Sequence, residues 1–251
     1  MIDDVMVSGN GFGEITHAIS QRILKIYWLI DVSKSMQGAK IAAVNRAIKA
    51  AIPMLISEAE EQPTIQTRVR AMKFSSNAVW HTNEAKIEDF EWYDLDVEGL
   101  TSTGAALKLM AEELTVEKMG KRAIPPVLIL MSDGEATDDY DGGLNVLLQQ
   151  KWSKKAIRVA IAVGDDANID ELTKFCSNPN ELPPILVSNT NEFVKALIWA
   201  SVDVSKSVSI SEIGGSGSPQ LPKLPDLDPQ GGPIIIIDEG NGSDDEGDWE
   251  W

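Results

Sequence analysis

Short apolar runs alternate along the chain with segments of helical periodicity, and this alternation limits the possible folds more than any other feature. The clearest runs are LKIYWLI at residues 24–30, PPVLILMSDG at 125–134, IRVAIAVG at 157–164 and PILVS at 184–188. Each is short enough to be a buried strand, and each precedes a stretch whose pattern is typical of a helix. The sequence therefore predicts a doubly wound α/β fold, with a mostly parallel central sheet and helices on both faces.

Two strands between the first and second crossovers are predicted to pair differently. TRVRAMKF at residues 67–74 and AVWHT at 78–82 are joined by the turn-forming residues SSN. This arrangement predicts one antiparallel hairpin at the edge of the sheet.

A long helix is predicted between the first two strands. Residues 41–55 carry isoleucine, valine and leucine at three- and four-residue spacing, which places them on one helix face. Pro53 lies within this pattern and is expected to kink or shorten the helix.

Composition divides the chain into three parts and restricts its partners. We predict a flexible N-terminal arm at residues 1–20, a domain at 21–210 and a disordered tail rich in glycine, proline and acid at 211–251. The chain has a net charge of −17, and the tail contributes ten acidic residues and one lysine. Such a chain is repelled by nucleic acid and anionic membranes, so basic protein surfaces and metal ions are better candidate partners.

The chain has few residues that could form a disulfide or a zinc site. It contains one cysteine, Cys176, and two histidines, His17 and His81, so any bound metal is expected to have oxygen ligands. It also lacks a run of about 20 apolar residues and a secretory leader, so a cytoplasmic location is expected.

Three polar clusters follow predicted strands or precede helices. Asp31, Ser33 and Ser35 come after the first strand, Thr101 precedes a helix, and Asp133 closes a later strand. The ends of strands in an open α/β sheet form a ligand-binding crevice. Two carboxylates and three hydroxyls can bind Mg²⁺ and leave a position open for an outside ligand.

Taken singly, each cluster also has an ordinary structural interpretation. Ser35 could cap the following helix, a serine or threonine near Thr101 could cap the next one, and Asp133-Gly134 could be a simple turn. The three together, in this order, favour a metal site.

The same three clusters resemble the metal-ion-dependent adhesion site of von Willebrand factor A (VWA) domains, with their Rossmann-like fold, over residues 24–204. The matching elements are Asp-x-Ser-x-Ser after a strand, T-x-x-G-x-A-L and a strand-ending Asp-Gly. The resemblance implies that Asp31, Ser33, Ser35 and Thr101 bind Mg²⁺ or Mn²⁺, with Thr103 as the alternative to Thr101. It also implies that Asp133 acts directly or through a water molecule.

The function implied by this resemblance is non-enzymatic. A VWA domain of this kind captures an aspartate or glutamate of a protein partner on its metal. Within the family, the chain looks most like the bacterial VWA proteins associated with tellurium resistance, stress response or defence. That likeness points to a kinase, a phosphatase or a tellurium-resistance-type protein as the partner.

Two other functions remain as alternatives. A metal-dependent phosphohydrolase of the haloacid-dehalogenase type would also place an aspartate after the first strand, but it would have a second aspartate where this chain has Ser33. A scaffold could instead bind partners through the acidic tail alone.

The pentapeptide DVSKS occurs twice, at residues 31–35 and again at 203–207. The second copy follows NEFVKALIWASV, which has a helical pattern, and no threonine or Asp-Gly is assigned to it. We predict that it is a solvated helix end and not a second metal site.

Overall fold

A seven-stranded sheet forms the centre of the computed structural model. The structure describes residues 21–134, 136–214 and 220–227, and for residues 212–214 it describes the backbone only. The predicted N-terminal arm and most of the predicted tail lie outside the described residues. The strands are β1 (Arg22–Asp31), β2 (Ile65–Phe74), β3 (Ala78–Trp80), β4 (Ala85–Lys86), β5 (Val127–Ser132), β6 (Ile157–Val163) and β7 (Ile185–Val187).

The strand order confirms the predicted fold class. The order is β3-β2-β1-β5-β6-β7, with β4 paired to β2 beside β3. The pairs β1–β2, β1–β5, β5–β6 and β6–β7 are parallel, whereas β3 and β4 run antiparallel to β2. Since β1 and β5 are central neighbours that run the same way, their carboxyl ends lie at the same edge of the sheet.

Helices cover both faces of the sheet. They are α1 (Ala39–Glu61), α2 (Thr103–Glu113), α3 (Val116–Met119), α4 (Tyr140–Gln149), α5 (Lys151–Lys155), α6 (Ile169–Phe175), α7 (Thr190–Ile198) and α8 (Val204–Gly214). Side chains of α1, α7 and α8 pack on one face, and those of α2, α4 and α6 pack on the other. Alternate residues of β1 supply the two layers: Trp28 faces the first, and Tyr27 and Leu29 face the second.

Pro53 does not shorten the first helix, contrary to one of the two predicted outcomes. Helix α1 runs for 23 residues, from Ala39 to Glu61, with Pro53 inside it. Pro53 lies on the exposed side of α1, and Leu55, just beyond it, is buried in the core. Burial of residues on both sides of the proline offsets the loss of one backbone hydrogen bond.

The second DVSKS copy is not a helix end, and this prediction was wrong. A π-helical turn at Trp199–Asp203 leads directly from α7 into α8, so residues 203–207 lie within a continuous helical segment. Asp203 is exposed, but Val204 and Val208 are buried, and this four-residue spacing keeps the helix packed against the sheet. In the preceding π turn, Ser201 Oγ accepts a 3.1 Å hydrogen bond from Trp28 Nε1 of β1.

A short part of the predicted tail contacts the domain. Trp199 Nε1 donates a 2.8 Å hydrogen bond to the carbonyl oxygen of Lys223. Leu221 and Leu227 pack against the core layer formed with α1 and α7. Residues 220–227 therefore place two partly buried leucines on the same face of the sheet as these helices.

Candidate metal site

Asp31 is the most buried carboxylate of the candidate site. It is the last residue of β1 and has no exposed surface. Its Oδ1 accepts a 2.8 Å hydrogen bond from the backbone N–H of Ser33, and its Oδ2 accepts a 2.7 Å hydrogen bond from Ser132 Oγ. Burial raises the pKa of Asp31 to about 6, and the nearby Asp133 carboxylate adds to this rise against the opposing effect of the hydrogen bonds.

Ser33 and Ser35 place two hydroxyls side by side just beyond β1. Their Oγ atoms are 2.9 Å apart, with Ser33 buried and Ser35 exposed. Adjacent ligands of an octahedral Mg²⁺, each about 2.1 Å from the ion, would be roughly 3 Å apart. The observed separation therefore suits two neighbouring positions of one coordination sphere.

Neither serine is used as a helix cap. The 3₁₀ turn Lys34–Met36 has Ser33 at its N-cap position without a side-chain capping hydrogen bond, and the N-cap residue of α1 is Gly38. The ordinary interpretation, in which Ser35 caps the following helix, is therefore wrong. The hydroxyls of Ser33 and Ser35 are directed to each other instead.

The loop that carries Thr101 is attached to two neighbouring loops. Lys34 N–H donates to the carbonyl oxygen of Gly99 (3.3 Å). On its other side, Thr101 N–H donates to Thr137 Oγ1 (3.2 Å), which in turn donates to the carbonyl oxygen of Thr101 (3.1 Å). These contacts hold Thr101, which is buried, beside the loop after β1 and the loop after β5.

The hydroxyls around Thr101 do not cap α2. Ser102, at the N-cap position, makes no side-chain capping hydrogen bond. Asp138, which is more than 30 residues away in the sequence, caps the helix instead. Its Oδ1 accepts a 2.8 Å hydrogen bond from Gly104 N–H, and its Oδ2 accepts a 2.8 Å hydrogen bond from Ala105 N–H. Thr103 Oγ1 is buried and has no hydrogen-bond partner in the described ranges.

Asp133 completes the set at the end of β5. It is 3% exposed, and its Oδ1 is buried without a hydrogen-bond partner among the residues that the structure describes. The carbonyl oxygen of Asp133 accepts a 2.6 Å hydrogen bond from Asn168 N–H, and Gly134 turns the chain with a φ of 81°. A buried carboxylate oxygen without a donor is unfavourable unless a cation or water molecule reaches it.

The donor set fits a small, hard cation. Asp31, Ser33, Ser35 and Asp133 all lie at or just beyond the carboxyl ends of the two central parallel strands, and the Thr101 loop is held against them. In the part of the chain that is described, no three aspartate, glutamate, histidine or cysteine side chains cluster as a metal site. A cation at this edge would therefore need the serine and threonine hydroxyls as well as the two carboxylates.

Three contributors to this arrangement were missed in the sequence. Ser132 appeared to be simply the last residue of a strand, Lys40 an ordinary helix residue, and Thr137 a loop residue. Ser132 orients Asp31, Thr137 holds the Thr101 loop, and Lys40 Nζ lies 3.7 Å from Asp133 Oδ2. Ser132 directly precedes Asp133 in the sequence, but nothing in the sequence near Lys40 or Thr137 indicated their contacts.

Comparisons with known proteins agree on the fold. A TM-score of 0.54 relates the chain to the ArnB paralog VWA2 from Sulfolobus acidocaldarius, at 17% identity over 71% of this chain and 45% of that one. The von Willebrand factor type A protein from Catenulispora acidiphila gives 0.55 at 17% identity, over 75% and 43%. The pilus adhesin SpaC from Lactobacillus rhamnosus GG, in an open conformation, gives 0.59 at 13% identity, over 74% and 30%. The chain thus spans less than half the length of each of these structures.

Within the described residues, none of the helices combines the length and the apolar character needed to cross a bilayer. The family model for the von Willebrand factor type A domain matches residues 25–197, which include every residue of the candidate site. The chain therefore belongs to the von Willebrand factor type A domain family.

Proposed function

We propose that this chain is a metal-dependent protein-binding module whose candidate site holds Mg²⁺ or Mn²⁺ and captures an aspartate or glutamate of a protein partner. The metal ligands would be Asp31, Ser33, Ser35, Thr101 and Asp133, with Thr103 as the alternative threonine. The observation that carries this proposal is the buried, unpartnered Oδ1 of Asp133 at the same sheet edge as the buried Asp31. Two such carboxylates repel each other unless a cation lies between or beside them.

Family membership supports the binding part of the proposal. VWA domains are generally non-catalytic modules that bind protein partners. One of the similar structures is described as a pilus adhesin, which is a statement about that protein. Because that protein is only 13% identical to this chain, the similarity supports the fold and gives only weak support for adhesion.

The chemistry of the ligands explains how the capture would work. A bound Mg²⁺ would offer a Lewis-acidic position to a carboxylate oxygen. Asp31 is held in place by Ser33 N–H and Ser132 Oγ, and the Thr101 loop by Thr137, so the ligands are oriented before a partner arrives. Because the hydroxyl ligands are neutral, they leave more of the metal's charge available to a partner carboxylate than additional aspartates would.

The surface beside the site offers a second contact to a partner. Leu100 is adjacent to Thr101 in the chain and is 61% exposed, and the exposed Lys34 lies between Ser33 and Ser35. A partner that supplied a carboxylate with an apolar neighbour would cover both the metal and Leu100. Such a pairing of one polar anchor with an apolar contact is typical of specific interfaces.

The proposal also includes a biological setting. The sequence resemblance favours a bacterial stress-response, tellurium-resistance or defence system, in which a kinase, a phosphatase or a tellurium-resistance-type protein would be the partner. A phosphohydrolase is less favoured, because Ser33 replaces the second aspartate that such an enzyme would need.

Affinity capture with the full chain tests the proposal. Partners recovered from the native lysate with Mg²⁺ should be lost when EDTA is added and when Ser33→Ala is the bait. Ser153→Ala is the matched control, because Ser153 is also buried but lies in α5, away from the candidate site. Capture that persists in EDTA would favour the scaffold alternative, and phosphoester turnover that vanishes in Asp31→Ala would favour the enzyme.

A further inference from the structure

A buried lysine lies next to the candidate site. Lys40 is the second residue of α1, and its side chain is 9% exposed. Its Nζ is 2.9 Å from Asp166 Oδ1 and 3.7 Å from Asp133 Oδ2. One ammonium group therefore lies between a candidate metal ligand and a second carboxylate that comes from the loop after β6.

The backbone leaves space for this lysine. Gly164 directly follows β6 with a φ of 92°, and a Cβ at this position would lie 2.6 Å from Lys40 Cε and 2.9 Å from Nζ. A side chain at residue 164 would displace the lysine. The path of Lys40 toward Asp133 thus depends on a glycine at the end of the strand next to β5.

The two aspartates that face Lys40 have different surroundings. Asp133 is buried, whereas the Asp166 side chain is 76% exposed, so Asp166 is well hydrated without the lysine. A buried ammonium group needs a close partner, because it loses its water shell. Asp166 provides that partner at hydrogen-bonding distance, and it keeps Nζ beyond hydrogen-bonding distance from Asp133.

We propose that Lys40 is a built-in counter-cation that competes with the metal for Asp133, and that Asp166 is a positioning residue that draws the lysine away from Asp133. This inference rests on the proposed metal site and adds a device that sets its affinity. When the metal is absent, Lys40 offsets part of the charge of Asp133. When the metal is present, the same ammonium repels it.

The proposal predicts opposite effects for the two residues. Lys40→Met should bind Mn²⁺ roughly tenfold or more tightly than the wild-type chain, because a positive charge beside a divalent ion is removed at low effective dielectric. Asp166→Asn should bind it several-fold more weakly, because the released ammonium moves toward Asp133. Lys40→Arg, which keeps the charge, should remain close to wild type in Mn²⁺ affinity.

A double-mutant cycle separates the positioning role of Asp166 from its own charge. If Asp166 acts through Lys40, then Asp166→Asn should have little effect in a Lys40→Met background. If Asp166 attracts the metal directly, the loss should be equal in both backgrounds. The second result would overturn the positioning role of Asp166.

The experiment is an isothermal titration of Mn²⁺ into the full chain, with thermal unfolding of each metal-free variant to show that it is folded. Lys49→Met is the matched control, because Lys49 is also on α1 and also pairs with an aspartate, Asp94, at 2.8 Å, but both side chains are more than half exposed. Binding by Lys40→Met equal to that of Lys49→Met would overturn this inference and leave the metal site intact. Absence of Mn²⁺ binding by wild type would overturn the proposed function itself.

A second readout protects the test against a variant that folds poorly. Without Lys40, the buried Asp133 carboxylate loses the ammonium group 3.7 Å from its Oδ2, so the metal-free Lys40→Met or Lys40→Gln chain should unfold at a lower temperature. Saturating Mn²⁺ should then raise the unfolding temperature by more than it does in wild type. An equal or smaller rise would count against the competition, and Asp166→Asn, an exposed substitution, tests it independently of the buried site.

Discussion

Ser132 Oγ donates a 2.7 Å hydrogen bond to Asp31 Oδ2 and so connects the ends of the two central strands. The same Oγ accepts a 2.9 Å hydrogen bond from Gly134 N–H, which lies just beyond Asp133. One buried hydroxyl therefore orients the carboxylate that follows β1 and the turn that follows β5. Replacing a residue that orients a metal ligand typically lowers metal affinity by about tenfold to a hundredfold.

Replacing Ser132 with alanine should weaken metal binding without removing a ligand. We expect Mg²⁺ affinity to fall about tenfold to a hundredfold, because Asp31 Oδ2 loses its donor and the carboxylate can rotate. Isothermal titration of the full chain measures the change. Ser153→Ala, in which the buried Oγ that is removed has no hydrogen-bond partner in the described structure, should bind as wild type. Equal affinity of the two variants would refute an orienting role for Ser132.

Asp31→Asn should stabilise the metal-free protein at neutral pH. The pKa of Asp31 is raised from 3.8 to about 6 by burial, so the folded chain binds this proton more tightly than the unfolded chain does. The wild-type chain therefore loses stability as the pH rises from about 4 to about 6. The asparagine variant avoids this loss, which is about 3 kcal/mol at pH 7.5.

Urea unfolding in EDTA at several pH values checks this prediction. The advantage of Asp31→Asn should be present at pH 7.5 and should disappear below about pH 4. Asp94→Asn, which changes an exposed carboxylate paired with Lys49, is the control and should change stability by only a few tenths of a kcal/mol. A wild-type chain that is more stable than Asp31→Asn at pH 7.5 in EDTA would contradict the claim that ionised Asp31 destabilises the metal-free fold.

Thr137→Val should loosen the loop that carries Thr101. The substitution keeps the shape of the side chain but removes the hydroxyl that accepts from Thr101 N–H and donates to its carbonyl oxygen. We expect several-fold weaker Mg²⁺ binding together with faster hydrogen exchange of the Thr101 amide. Thr173→Val removes an exposed hydroxyl that bonds within α6 and should change neither quantity. Unchanged hydrogen exchange of the Thr101 amide in Thr137→Val would argue against the role of Thr137 in holding this loop.

The fold could be predicted from the sequence because its signals are local. Buried parallel strands are continuous apolar runs, and the helices between them have their own periodicity. The polar residues that follow β1 and β5 are adjacent in space because parallel strands end at the same sheet edge. The positions of Asp31 and Asp133 therefore follow from pattern and topology together.

The contacts that orient those residues could not be predicted in the same way. The pairing of Ser132 with Asp31 and of Lys40 with Asp166 joins residues more than 100 positions apart, and neither residue type is unusual at its place in the chain. Such contacts depend on the register between strands and on the space left by Gly164. A single sequence gives no direct signal for either.

The second DVSKS copy was predicted wrongly because the prediction used only the helical pattern that precedes the motif. Val204 and Val208 continue the apolar face of α7 beyond Asp203, and this spacing was visible in the sequence. Identical pentapeptides thus adopt a strand-to-turn conformation at residues 31–35 and a helical one at 203–207. Burial of the flanking residues, and not the five letters, decides between them.

These two copies provide the most direct test of the account. Mn²⁺ should be titrated into the full wild-type chain and into Asp31→Ala and Asp203→Ala, with binding measured by calorimetry. The account predicts one saturable ion per chain in wild type and in Asp203→Ala, and loss of that binding in Asp31→Ala. A wild-type chain that binds no Mn²⁺, or an Asp31→Ala chain that binds it as wild type does, would contradict the central claim.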